Sequence, residues 1–124
     1  MESSPNELNT ESLQNYLNTP ELLRDLLEQL VKDFKMANLT LSLDLSMAYS
    51  FDQLQAKVEE TLRQQATTPR SVQAVLYRVD LSEGQLKKRL NSDAKMTQLA
   101  ELIIKRELQK VVIRHWYRKV DGGV

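Results

Sequence analysis

Arg106, Lys110, Arg114 and Arg118 recur every four residues near the carboxyl end of the chain, so on an α-helix they form one row. Guanidinium forks and ammonium groups in a row are what phosphate recognition requires. Tyr117 falls among them, and Trp116 lies toward the other side of the helix, near Lys105 and Lys119, where an indole can stack on a base or pack on a partner. Arg106, Lys110, Arg114, Trp116, Tyr117 and Arg118 are therefore the candidate partner-binding residues. The row also has plainer uses: cations meet the negative end of a helix dipole, and their stems cover apolar surface. A further use is pairing with Glu21, Asp25, Glu28 and Asp33 of the acidic amino-terminal half.

Catalytic constellations are harder to assemble. His115, the one histidine, falls near Ile104, Leu108 and Val111 on the helical wheel, at the edge of an apolar band. General-base work requires an orienting carboxylate, and Glu107, two turns back on another azimuth, is not one. Glu59 and Glu60 are adjacent and point about 100° apart on a helix, so they do not converge on a metal or a glycosidic bond. The chain contains no cysteine, which removes disulfides, thiol nucleophiles and cysteine-ligated metals. Its three glycines, at 84, 122 and 123, make neither a P-loop nor a dinucleotide fingerprint. No catalytic, cofactor-binding or metal-ligating residue is assigned, and no small-molecule substrate is evident.

The elements that position the basic row follow from hydrophobic period. Leu8, Leu13, Tyr16 and Leu17 suit a short helix. Thr19 and Pro20 then open a clearer one, about 20 to 36, with Leu22, Leu23, Leu26, Leu27, Leu30, Val31 and Phe34 at helical spacing. Ser50 with Gln53 fits a capping box for a helix of about 51 to 66. Thr67, Thr68 and Pro69 end it and can start another, although Val75, Tyr77, Val79 and Leu81 also alternate as a strand would. Ser82 with Gln85 fits a second capping box, and Ser92 and Asp93 open the longest helix, about 93 to 119. On it Met96, Leu99, Ala100, Ile103, Ile104, Leu108, Val111 and Val112 form the core band. A helix-turn-helix over 82 to 93 with this helix as reader is a poor fit, since the reader opens with Asp93, Ala94, Lys95 and Met96 and is far too long.

Between the second and third helices Leu39, Leu41, Leu43, Leu45, Met47 and Tyr49 alternate with Thr40, Ser42, Asp44, Ser46 and Ala48, which predicts an extended segment or strand, with a helix as the alternative. A lone strand needs a partner in residues 72 to 81 or in a second copy, or else the segment is exposed as a loop. The expected fold is thus all-α: a small helical bundle with a long C-terminal helix, admitting a minor β element at 39–49. Residues 1–7 and 121–124 are expected to be flexible tails around a single helical domain, 8–120.

Composition agrees: 41% hydrophobic and 27% charged residues suit a globular chain rather than a disordered one. No stretch reaches about 18 apolar residues, and the amino terminus, MESSPNELNTES, has no basic patch followed by an apolar run, so the expected location is cytoplasmic. The formal net charge of zero conceals a division: residues 1–60 carry −7 and residues 61–124 carry +7. Such asymmetry bears on association rather than fold. The expected function is that of a non-enzymatic accessory protein acting through protein–protein contacts or self-association as a homodimer. A nucleic-acid-binding accessory protein using the basic-aromatic helix is the alternative, and an enzyme of unknown class is the third reading. No cofactor and no membrane partner are expected.

Overall fold

A computed structural model describes residues 10–81 and 95–122, and these form five helices without a strand among them: α1 (Thr10–Leu17), α2 (Pro20–Met36), α3 (Phe51–Gln65), α4 (Pro69–Val79) and α5 (Lys95–Gly122). The expected second capping box, at Ser82 and Gln85, and the opening at Ser92 and Asp93 lie outside the described residues, as do the expected tail at 1–7 and residues 123–124 of the expected tail at 121–124, whose first two residues, Asp121 and Gly122, instead end α5.

The starts of α2, α3 and α4 are traceable to the sequence. Ser50 and Gln53 make the full capping box, with Ser50 Oγ accepting from Gln53 N at 3.2 Å and Gln53 Oε1 accepting from Ser50 N at 2.9 Å, an arrangement worth about 1 kcal/mol. The two Thr-Pro pairs differ. Thr68 Oγ1 accepts from Ser71 N at 3.1 Å, whereas Thr19 makes no side-chain cap and Pro20 sets the first turn of α2 by its fixed φ alone. The ambiguity over 69–81 resolves as helix because Val75, Leu76 and Val79 are buried at a three-to-four-residue spacing while Tyr77 is 78% exposed.

Two helices stop on residues other than glycine in the left-handed region, Asn38 (φ 64°) and Asp80 (φ 69°). In each case the next amide reaches back five residues, Leu39 N to Phe34 O at 2.8 Å and Leu81 N to Leu76 O at 2.9 Å. This is the Schellman closure, in which Asn and Asp tolerate the backbone that glycine usually supplies.

The alternating segment 39–49 does not become a β element. It is an irregular connector with turns near its far end, and its alternation still decides which side chains face inward: Leu39, Leu41 and Tyr49 are buried and Leu43 is half-buried. The pattern breaks at Leu45 and Met47, which are exposed. Part of its backbone is satisfied by side chains rather than by a second strand. Gln65 contacts both polar groups of Thr40, the Tyr49 hydroxyl accepts from Asp44 N at 3.0 Å, and Asp44 accepts from Ser46 N at 2.9 Å in an Asx turn.

One core runs through all five helices. α5 is its spine, at 28 residues about 40 Å long, and it packs against α2, α3 and α4. Phe34, Leu26, Leu27 and Leu30 of α2 and Leu54, Val58 and Leu62 of α3 are fully buried, as are Ala100, Ile103, Ile104, Leu108 and Val111 of α5. Each buried leucine or isoleucine contributes about 1.5–3 kcal/mol of burial.

Candidate functional site

The basic row of α5 runs along the seam with α2, and the two helices are antiparallel there. Lys110 Nζ lies 3.1 Å from Asp33 Oδ2, one turn farther along α5 Arg114 donates to Gln29 Oε1 at 3.0 Å, and His115 Nε2 lies 2.5 Å from Asp25 Oδ2. Each forward turn on α5 thus meets a backward turn on α2. At the other end of the row Arg106 reaches the end of α4, where the left-handed Asp80 presents its carboxylate at 2.9 Å. Lys110 also donates to the Arg78 carbonyl at 3.3 Å, one of the last carbonyls of α4, which have no partner within the helix. The basic side of the sequence therefore packs on part of its acidic side, and the contacts use Asp25 and Asp33. Glu28 instead pairs with Arg24 on its own helix, at 3.3 Å.

At the centre of the seam is a group with no obvious structural reason to be charged. Glu107 is fully buried within the apolar band of α5, and neither carboxyl oxygen has a hydrogen bond of acceptable direction. Lys110 Nζ approaches Oε1 to 2.6 Å, a close approach rather than a directed bond. Burial, and then the neighbouring Asp33 carboxylate, push the Glu107 carboxyl up to about 9 against the opposing pull of Lys110. At neutral pH Glu107 is protonated. Burial also works to raise Asp33, but its contacts with Glu107, Gln29 and Lys110 outweigh that and hold it below the ordinary carboxylate value. Lys110 is raised because both carboxyl neighbours overcome its own desolvation. The cluster is thus a neutral acid, a carboxylate and an ammonium, with Gln29 donating to Asp33 Oδ2 at 3.0 Å.

The far end of α5 is different in character. Trp116 is 55% exposed and Tyr117 58%, with ring centroids 5.3 Å apart and planes at 77°, the edge-to-face arrangement that aromatic quadrupoles favour. Arg114 and Arg118 are exposed beside them, and among the described residues neither belongs to an ion pair. Both border a shallow groove of about 290 Å³ shared with Asp25, Glu28, Gln29 and Lys32 of α2. The six candidate residues therefore fall into two groups. Arg106 and Lys110 are engaged by carboxylates, whereas Arg114, Trp116, Tyr117 and Arg118 present exposed surface.

Asp33 and Glu107 were not singled out as a pair by sequence reasoning, yet Glu107 carried a signal. It stands four residues from both Ile103 and Val111 and seven from Ala100, which places it inside the buried band by period alone. The orienting carboxylate for His115 is supplied by α2, 90 residues away, a distance no local pattern spans. The Glu101–Lys105 pair, readable from its i, i+4 spacing, forms at 3.2 Å. Glu59 pairs with Arg63 at 3.1 Å on the α3 surface, where its contact with Thr97 is the main cause of its lowered pKa. Among the described residues no group of three or more histidines, aspartates or glutamates is arranged to hold a metal ion, and no helix is long and apolar enough to cross a membrane.

Comparison with known proteins gives no match, whether to a family model, to a curated protein or to a solved structure.

Proposed function

We propose that the protein is a non-enzymatic accessory protein that docks another protein through the outer end of α5, with the cytoplasm as its place of action. One observation carries this reading: Trp116 and Tyr117 are a large aromatic pair left more than half exposed, flanked by the exposed Arg114 and Arg118. Tryptophan, tyrosine and arginine are the residues that dominate binding energy at interfaces. The seam itself supports the division of labour, because Arg106 and Lys110 fix α5 on the bundle while the residues beyond remain available.

The test compares the protein with a Trp116→Ala/Tyr117→Ala variant in affinity capture and in light scattering after size exclusion. A partner retained by the unaltered protein and lost by the variant, with an unchanged melting temperature, is the expected result. Identical capture and identical oligomeric state would overturn the reading. Nucleic acid is supported less well, since two of the row's four cations already meet carboxylates; binding through Arg114 and Arg118 alone would show a salt slope near two phosphates at most.

A further inference from the structure

We propose that Glu107, Asp33 and Lys110 form a proton-controlled latch between α2, α4 and α5, closed when Glu107 carries its proton and loosened when it gives it up. The argument begins with geometry. Glu107 is fully enclosed and has no directed hydrogen bond. Among the described residues the cation beside it is Lys110, shared with Asp33 at 3.1 Å and with the Arg78 carbonyl at 3.3 Å. A single ammonium balances one buried carboxylate. With Glu107 protonated the three groups sum to zero, and Asp33 keeps its charge beside Lys110 and Gln29. With Glu107 ionised, two carboxylates face one ammonium out of water, an arrangement buried sites strongly disfavour.

Among the described residues, the surrounding elements bring no second cation within ion-pair distance of Glu107. α2 contributes Asp33 and the neutral Gln29 that donates to it. α4 contributes the Arg78 carbonyl, while its Asp80 holds Arg106 at 2.9 Å. On α3 the charged side chains Asp52, Lys57, Glu60 and Arg63 are exposed, and the half-buried Glu59 is engaged by Arg63 and Thr97. Because Lys110 touches all the other parties, loosening would pass to the carboxyl end of α4 and to the α2 seam together.

The sign follows from the raised acid. Glu107 has an ordinary value of 4.5 in an unfolded chain and about 9 when folded, so between those values the folded state holds a proton that the unfolded state lacks. Its stabilising contribution is full below about 4.5 and is lost progressively as pH rises toward 9. Asp33, lowered, and Lys110, raised, keep their charges throughout that window.

The test is urea unfolding of the unaltered protein and of Glu107→Gln, which carries a permanent neutral amide in the same shape, at pH values from 5.5 to 8.5. The expected result is that the ratio of their folding constants shifts by up to about tenfold per pH unit in favour of the variant as pH rises; titrations common to both proteins cancel. A ratio constant across the range would overturn the latch. Should the variant fail to fold, the carboxyl ¹³C titration of Glu107 in the unaltered protein decides: a midpoint above 7 supports the latch, and one near 4.5 overturns it.

Discussion

Gln65 holds Thr40 from both sides: its Oε1 accepts from the Thr40 amide at 2.7 Å and its Nε2 donates to the Thr40 carbonyl at 2.8 Å. A primary amide has the donor and acceptor of a peptide unit, so one side chain at the end of α3 replaces the neighbouring strand that an alternating segment would otherwise need. Gln65→Ala leaves both backbone groups to water. The expected loss is about 1 kcal/mol, since the site is exposed and the groups rehydrate, with faster hydrogen exchange at the Thr40 amide. An unchanged exchange rate would mean that the segment is held by Leu39 and Leu41 alone.

The basic row should show a gradient when each cation is replaced by glutamine. Lys110→Gln removes the counter-charge of the buried Asp33 and is expected to cost about 2 kcal/mol. Arg106→Gln loses an ion pair whose aspartate is 77% exposed, so about 0.5 kcal/mol is expected. Arg118→Gln should leave stability unchanged. Urea midpoints of the three variants measure the order directly, and equal losses would contradict the seam.

Asp33 governs the acid side of the stability curve. Its folded pKa lies below the ordinary 3.8, so the unfolded chain takes up its proton first on acidification. The stabilisation is full above that ordinary value and disappears as pH falls through the lower, folded one. Asp33→Asn should flatten acid unfolding below pH 4 while lowering stability at neutral pH, as followed by circular dichroism.

The two left-handed residues predict outcomes of different size for the same change. Asn38→Gly removes the positive-φ penalty and breaks no described side-chain contact, so a gain of up to about 1 kcal/mol is expected. Asp80→Gly relieves the same backbone but removes the carboxylate from Arg106, so the net change is smaller. Thermal melts of the pair test this, and a larger gain at Asp80 would show that the ion pair contributes nothing.

How much of this was legible from residues depends on range. The helices α2, α3 and α5 were readable because apolar spacing, Pro20, and the Ser50–Gln53 box are local signals. The connector 39–49 misled as to strand because alternation reports only which side is buried; what pairs with the backbone was settled by Gln65, 25 residues away. The all-α class was correct, whereas the minor β element did not form. At the candidate site the four-residue spacing located the row, but Asp33, Gln29 and Asp80 approach it from other helices, and no spacing rule reaches across 26 to 85 residues. Glu107 was passed over because it is charged, although its period placed it in the core.

A row that repeats every four residues has an ambiguity built in. Displace α5 along α2 by one helical turn, and Arg106 or Arg114 takes the place of Lys110 opposite Asp33, with the same sign and a comparable reach. The cations alone do not distinguish the correct alignment from its neighbours. Glu107 does, because the same displacement would carry its carboxyl to the place of Ile103 or Val111, both fully buried, and leave Asp33 behind. The residue that weakens the core as a hydrophobic unit is thus the one that tells the two helices where to stop.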